Sequence, residues 1–190
     1  MLSIYPAIAA YAGDDLNPIF GGAKNQITLN IGQGVNSFGL IPLPNMWVPF
    51  NMMQLQYSQP ATVFRLPARQ NFSIIKTIGY GKKYEYTDYV GTFVWNWSDY
   101  ATEIAAITWD VVFLHTSRWY FGAGAGFAIQ GRQNQREGTK FLLPFKIFTG
   151  YRITDSWSAE LFTQHFSNGD TGGIANYSYN FWGLGVGYNF

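Results

Sequence analysis

An all-β, eight-stranded antiparallel transmembrane β-barrel is what the sequence predicts, on three observations. The chain of 190 residues is 19% aromatic and only 12% charged, about half the charge of an ordinary soluble domain. Its greasiest stretch, Tyr120 to Ile129, is ten residues long, far short of the apolar run that a spanning helix needs. Side-chain size alternates with period two over much of the chain, which is a strand signal. A mean hydropathy of −0.06 fits, because lipid-facing and lumen-facing residues cancel in any average along a barrel strand.

The alternation is clearest in Trp119 to Gln130. Trp119, Phe121, Ala123, Ala125, Phe127 and Ile129 share one face, and Tyr120, Gly122, Gly124, Gly126, Ala128 and Gln130 share the other. Near the C-terminus, Trp182, Leu184, Val186, Tyr188 and Phe190 oppose Gly183, Gly185, Gly187 and Asn189. A soluble sandwich would set charge against its bulky face. Here the opposing residues are small, as in a narrow barrel with little room in its lumen. Phe141, Leu143, Phe145, Ile147 and Tyr151 form another apolar face; so do Ile107, Trp109, Val111 and Phe113, and Trp157, Ala159 and Leu161. On that register Asp110, Lys146, Arg152 and Glu160 point inward, where opposite charges pair and close the lumen.

Strands are expected near 25–34, 51–65, 71–84, 104–115, 119–130, 141–153, 157–168 and 177–190. Lys76 breaks the alternation in the third and leaves its register open. Tyr89 to Trp97 is a ninth candidate, which parity assigns to an extension of the loop before strand four. Connections alternate in length: Thr116 to Arg118 and Thr154 to Ser156 are short, Gly131 to Lys140 and Asn168 to Ala175 longer. Outer-membrane barrels place short turns in the periplasm and longer loops outside, so both termini belong on the periplasmic side. Residues 25–190 are read as the barrel. Residues 1–24 are read as an N-terminal arm or the residue of an export signal, since Leu2 to Ala12 is mostly apolar and Ala10-Tyr11-Ala12 is a small-x-small pattern. The basic start of a signal is missing. Tyr188 and a terminal Phe190 match the C-terminal signature by which the barrel assembly machinery recognises its clients.

Several function classes drop out. A net charge of +1 without a Lys/Arg cluster gives no electrostatic footprint for nucleic acid. Zero Cys and two His leave no thiolate chemistry and no multi-His metal site. Trp95, Trp97, Trp119 and Trp157 read as interfacial girdle residues, and His115 as structural at a periplasmic strand end.

Chemistry concentrates in Gln164-His165-Phe166-Ser167-Asn168-Gly169-Asp170, followed by Asn176 and Asn180. His165 and Ser167 stand two apart on a strand, so their side chains leave the same face, about 7 Å apart at Cα. That face also carries Trp157 and Leu161. A polar pair looking into lipid is costly unless paired or used. A serine with a histidine base suits ester cleavage, and a catalyst aimed at the leaflet implies a lipid substrate.

His165-x-Ser167-Asn168 with a small residue next, a Gly-containing loop, Asn176 and a short final strand resemble the lipid A 3-O-deacylases, the PagL-like outer-membrane β-barrel esterases. The likeness covers about the last fifty residues and is architectural before them. It implies Ser167 as nucleophile, His165 as base, and an oxyanion site from Asn176 and backbone N–H groups near Gly169, with Asn168 shaping the loop. It also implies no cofactor, lipid A or lipopolysaccharide of the outer leaflet as substrate, and an active site at the external leaflet of a Gram-negative outer membrane. A homo-oligomer is compatible with it. The family's third catalytic residue is usually a Glu four positions after the loop Asn; this chain has Asn180 there. Symmetric pairing about the loop sets Asn180 opposite His165, and Ser178 opposite Ser167. Asn180 can then accept from the ring N–H and hold its tautomer, but it cannot stabilise an imidazolium by charge. Asp170 is an alternative partner; Glu160 is a poor one, because parity sends it into the lumen. The competing class is a non-enzymatic small barrel with an adhesin-like or structural role, favoured by long aromatic loops such as Tyr84 to Tyr100.

Overall fold

The computed structural model describes residues 17–36, 38–39, 47–80, 84–87, 92–95, 97–134, 136–169 and 177–190. Its strands are β1 (Gln26–Val35), β2 (Trp47–Val63), β3 (Leu66–Gly79), β4 (Tyr84–Thr87), β5 (Thr92–Trp95), β6 (Glu103–His115), β7 (Trp119–Gln130), β8 (Phe141–Arg152), β9 (Trp157–Ser167) and β10 (Tyr179–Asn189). Eight of them close into an antiparallel barrel in the order β1-β10-β9-β8-β7-β6-β3-β2. Among the described residues β4 and β5 pair only with each other, so these two short strands are not part of the barrel wall, in keeping with parity.

Burial alternates along each barrel strand. Side chains such as Leu55, Ile74, Phe127, Ile129 and Leu184 face outward, and Ile74 is 69% exposed. Polar side chains of the same strands, among them Thr28, Asn30, Gln54, Gln56 and Ser73, are buried in the lumen. This inversion of the soluble pattern is the signature of a wall in hydrocarbon, because closure pairs the backbone groups that lipid cannot.

Arg69 organises the lumen centre. It donates to Asp110 Oδ2 from Nε (2.9 Å) and to both carboxylate oxygens of Glu160. Lys146 Nζ reaches Glu160 at 3.3 Å, and the Tyr120 hydroxyl donates to the same carboxylate at 3.0 Å. The Tyr120 ring lies where a Cβ on Gly150, its cross-strand partner, would stand, so the glycine face makes room for an inward tyrosine.

Two expectations about charge need correction. Arg152 points inward as expected, its guanidinium against Gly21, but it lies at the short-turn end, outside this cluster, and donates to Ser117 O at 2.9 Å. Its place is taken by Arg69, which sequence reading left in a connection. The expected boundaries of strands two and three hid it, since the chain turns at Phe64-Arg65, both at positive φ (50° and 67°). Two-residue hairpin turns of that kind favour Asn and Gly, and neither stands here. β3 therefore starts at Leu66 rather than 71 and ends at Gly79 rather than 84, and β2 starts at Trp47 rather than 51. Lys76 keeps the outward register and pairs with its cross-strand partner Glu103.

Both ends of the lumen are filled by side chains. At the short-turn end, Asn17 to Lys24 fold back into the opening: Ile19 and Phe20 are fully buried, Asn17 Nδ2 donates to Ala68 O (2.8 Å), and Asn189 Nδ2 donates to Ile19 O (3.0 Å). That part of the expected arm is integral to the barrel. The apolar segment Leu2 to Ala12 lies outside the described residues. At the long-loop end, Phe50 stacks on Tyr179 and Phe181 at 5.6 and 5.7 Å, and Phe166 packs edge-on to Phe181. This plug is the rigid backing of the outer face described next.

Replacing Arg69 by Met is expected to leave the buried Glu160 and Asp110 with Lys146 as their one cation in contact, 3.3 and 3.9 Å away, at a cost of about 3–5 kcal/mol. Urea unfolding in detergent micelles reads that loss directly, and a change below about 1 kcal/mol would show that the cluster does not hold the lumen together.

Candidate active site

The β9–β10 hairpin sets the polar residues. In its ladder Asn180 stands opposite His165, and the even residues of β10 and the odd residues of β9 face out of the barrel, as Leu184 and Trp157 do. Asn180 Oδ1 lies 2.7 Å from His165 Nδ1. A carboxamide oxygen only accepts, so in the neutral imidazole Nδ1 carries the proton and Nε2 the lone pair. Ser167 is the next outward residue on β9 and pairs with Leu143 of β8. Glu160 points inward and is bound to Arg69, which excludes it as a partner for the imidazole.

The symmetric pairing expected of Ser167 with Ser178 is absent. The ladder begins at Tyr179 and Phe166, because Ser178 adopts φ 58° and turns the chain out of register. Arg136 of the β7–β8 loop grips this turn. Its guanidinium donates to Tyr177 O (2.9 Å) and, from Nε and Nη2, to Ser178 O (3.2 and 2.8 Å), while Tyr177 N donates to Arg136 O (2.8 Å). Burial holds the Arg136 guanidinium below its ordinary pKa, opposed by Tyr179, Tyr100 and Glu137; it stays charged at neutral pH. Asn134 accepts from the N–H groups of Arg136 and Glu137 and donates to the Tyr179 hydroxyl. Sequence reading missed this brace, since a loop Arg 41 and 42 positions from the carbonyls it binds carries no periodic signal.

At the tip of β9, Gly169 has φ +64°, a conformation that favours glycine, and a Cβ there would meet only the end of the Leu143 side chain, at 2.9 Å. Asn168 is fully buried. Asn176 and Asp170 lie outside the described residues. His115 is exposed at the short-turn end, away from these groups.

The wall around the pair is apolar. Phe145 is the cross-strand partner of His165 on β8, and Trp182, the next outward residue after Asn180, meets Trp47 edge-on at 6.4 Å. A groove of about 480 Å³ runs beside them between Ile31, Trp47, Met53, Trp182 and Leu184. A larger one, about 620 Å³, lies around the barrel on β2, β3, β6, β7 and the start of β8; its lining is almost wholly apolar, with Tyr57 and Ser73 its hydroxyl-bearing residues and no histidine or carboxylate among them. Of the expected girdle residues, Trp119 and Trp157 are exposed on the outer wall.

Residues 54–189 match the family described as lipid A 3-O-deacylase (PagL). The chain belongs to that family. It is thus an ester hydrolase of the outer membrane acting on lipid A, and the non-enzymatic reading falls. The fold is similar to the crystal structure of the outer membrane enzyme PagL, with TM-score 0.54 and 12% identity over 87% of this chain and 99% of that one. It is also similar to the Yersinia pestis outer membrane protein Ail, with TM-score 0.50 and 13% identity over 88% and 99% of the two chains. At such identities the two structures speak for the barrel alone. No curated protein matches in sequence.

Truncating the brace by Arg136→Ala removes charge-assisted hydrogen bonds from two carbonyls, an expected loss of about 1–3 kcal/mol of local stability. Amide exchange from Tyr177 to Asn180 should accelerate while the β6–β7 ladder keeps its protection; unchanged exchange there would mean that the turn holds itself.

Proposed function

We propose that this lipid A deacylase is a serine esterase in which Ser167 is the nucleophile, His165 the general base and Asn180 the residue that orients it, working on a 3-hydroxyacyl ester at the external leaflet. The carrying observation is the 2.7 Å contact of His165 Nδ1 with Asn180 Oδ1, which turns Nε2 away from Asn180 on the same outward face as Ser167 and, in the neutral imidazole, gives it the lone pair.

In this mechanism Ser167 Oγ gives its proton to His165 Nε2 as it attacks the ester carbon. The carbonyl oxygen becomes an oxyanion, stabilised by the backbone N–H of Gly169 and by Asn176, with Asn168 holding the loop. The bond to the sugar oxygen then breaks, and His165 returns the proton to that leaving hydroxyl. Water, deprotonated by Nε2, attacks the acyl-enzyme; the 3-hydroxy fatty acid leaves and Ser167 regains its proton. The substrate is already embedded beside the barrel, so the wall needs only to present Oγ at the depth of the ester. The long loops at this end of the barrel support an external location, and the barrel assembly machinery would insert the chain.

An amide oxygen orients the ring but does not share the positive charge that forms on it. Asn180→Ala should therefore lower kcat about tenfold, the equivalent of one orienting hydrogen bond. Asn180→Glu should raise it if the position supports charge.

The decisive test is mass spectrometry of lipid A from cells producing the wild type or Ser167→Ala. Loss of one 3-hydroxyacyl chain with the wild type and none with the variant is the expected outcome. Equal deacylation by a folded Ser167→Ala protein would remove the serine from the chemistry.

A further inference from the structure

His165 is covered from a direction that its own hairpin cannot supply. Phe38 follows β1, and in the barrel β1 is separated from β8 by both β10 and β9. Its ring nevertheless lies 5.5 Å from the His165 ring and 5.5 Å from the Phe145 ring of β8. Both of those side chains project from the outer face. The chain leaving β1 has thus carried an aromatic side chain across two strands and set it on the lipid side of the histidine, where it is only partly exposed.

The level at which Phe38 sits has a chemical meaning. Taking the serine-esterase reading above as the premise, the ester carbonyl lies at Ser167, and the acyl tail must run down the wall toward the bilayer centre. His165 and its partner Phe145 stand two residues along the strand from Ser167, about 7 Å lower. The first few carbons of the acyl chain pass that level, and they include the carbon that bears the 3-substituent. A free hydroxyl there adds one small group. A second acyl chain esterified to it adds a branch that needs a second channel along the wall at once.

We propose that Phe38 is a specificity-determining residue: beside His165 and Phe145 it fills the space that a 3-acyloxy branch would need, and so restricts cleavage to acyl chains whose 3-hydroxyl is free. The opposite flank does not impose this limit, since the groove along Trp182 and Trp47 is open and offers one channel for one tail.

The test uses the full chain in detergent micelles with two synthetic glucosamine lipids, one carrying 3-hydroxytetradecanoate and one carrying 3-(tetradecanoyloxy)tetradecanoate at the 3-O position. The wild type should prefer the first. Phe38→Ala should raise kcat/KM for the branched ester relative to the hydroxy ester by about tenfold or more, the range over which apolar pocket volume discriminates, and Phe38→Trp should not. Should Phe38→Ala fail to fold by circular dichroism, Phe38→Leu is expected to shift the ratio in the same direction by less. An unchanged ratio in a folded variant, with both rates intact or both reduced alike, would overturn the assignment. Ser167→Ala separates this outcome from failure of the premise: cleavage of either ester by that variant would count against the nucleophile and leave the ratio measurement to speak for Phe38 alone.

Discussion

A strand immersed in hydrocarbon has one place to send its backbone N–H and C=O groups, which is the neighbouring strand, and that constraint shapes this molecule throughout. Every barrel strand from β1 to β10 has two partners, and the last pairs with the first. Closure then forces the side chains to sort by face. Leucines, isoleucines and aromatics go outward because the medium there is apolar, and the residues turned inward must fill a narrow cylinder.

How the cylinder is filled varies along its axis. At the centre, one guanidinium holds two carboxylates, with Lys146 stacked between the rings of Phe148 and Phe162. Toward the long-loop end the filling is a stack of Phe50, Tyr179, Phe181 and Phe166. The consequence for function lies in the alternation itself. Asn180 stands between Tyr179 and Phe181, and His165 directly precedes Phe166, so each polar residue of the site is mounted on strand backbone whose adjacent side chains are locked into the plug. A histidine on a loop would need binding energy to be oriented; here the ring is held by a ladder pairing and one hydrogen bond.

Two polar pairs on the outer wall bond across neighbouring strands. Lys76 and Glu103 neutralise each other across β3 and β6, and His165 and Asn180 bond across β9 and β10. The second pair stands on an apolar wall, on the same outward face as Ser167, so on the serine-esterase reading proposed above a substrate is met sideways from the leaflet, with no need of an opening in the lumen.

Much of this was legible in the residues. Period-two alternation, the glycine face opposite the tryptophans, the alternating loop lengths and the inward register of Asp110, Lys146 and Glu160 follow from the pleat of a strand, which is local. The pairing of His165 with Asn180 was legible too, because a hairpin relates its two strands by a simple symmetry about the loop. Tertiary structure alone decided the rest. The turn at Phe64-Arg65 has no turn chemistry, so Arg69 had no visible place in a strand; Ser178 left the ladder because Arg136, more than forty positions earlier in the chain, pulls on its carbonyl. Phe38 reached His165 only because closing the cylinder brought β1 beside β10. Local periodicity records which face a residue takes, but contacts between distant segments depend on where closure and loops carry the chain, and no window of sequence contains that information.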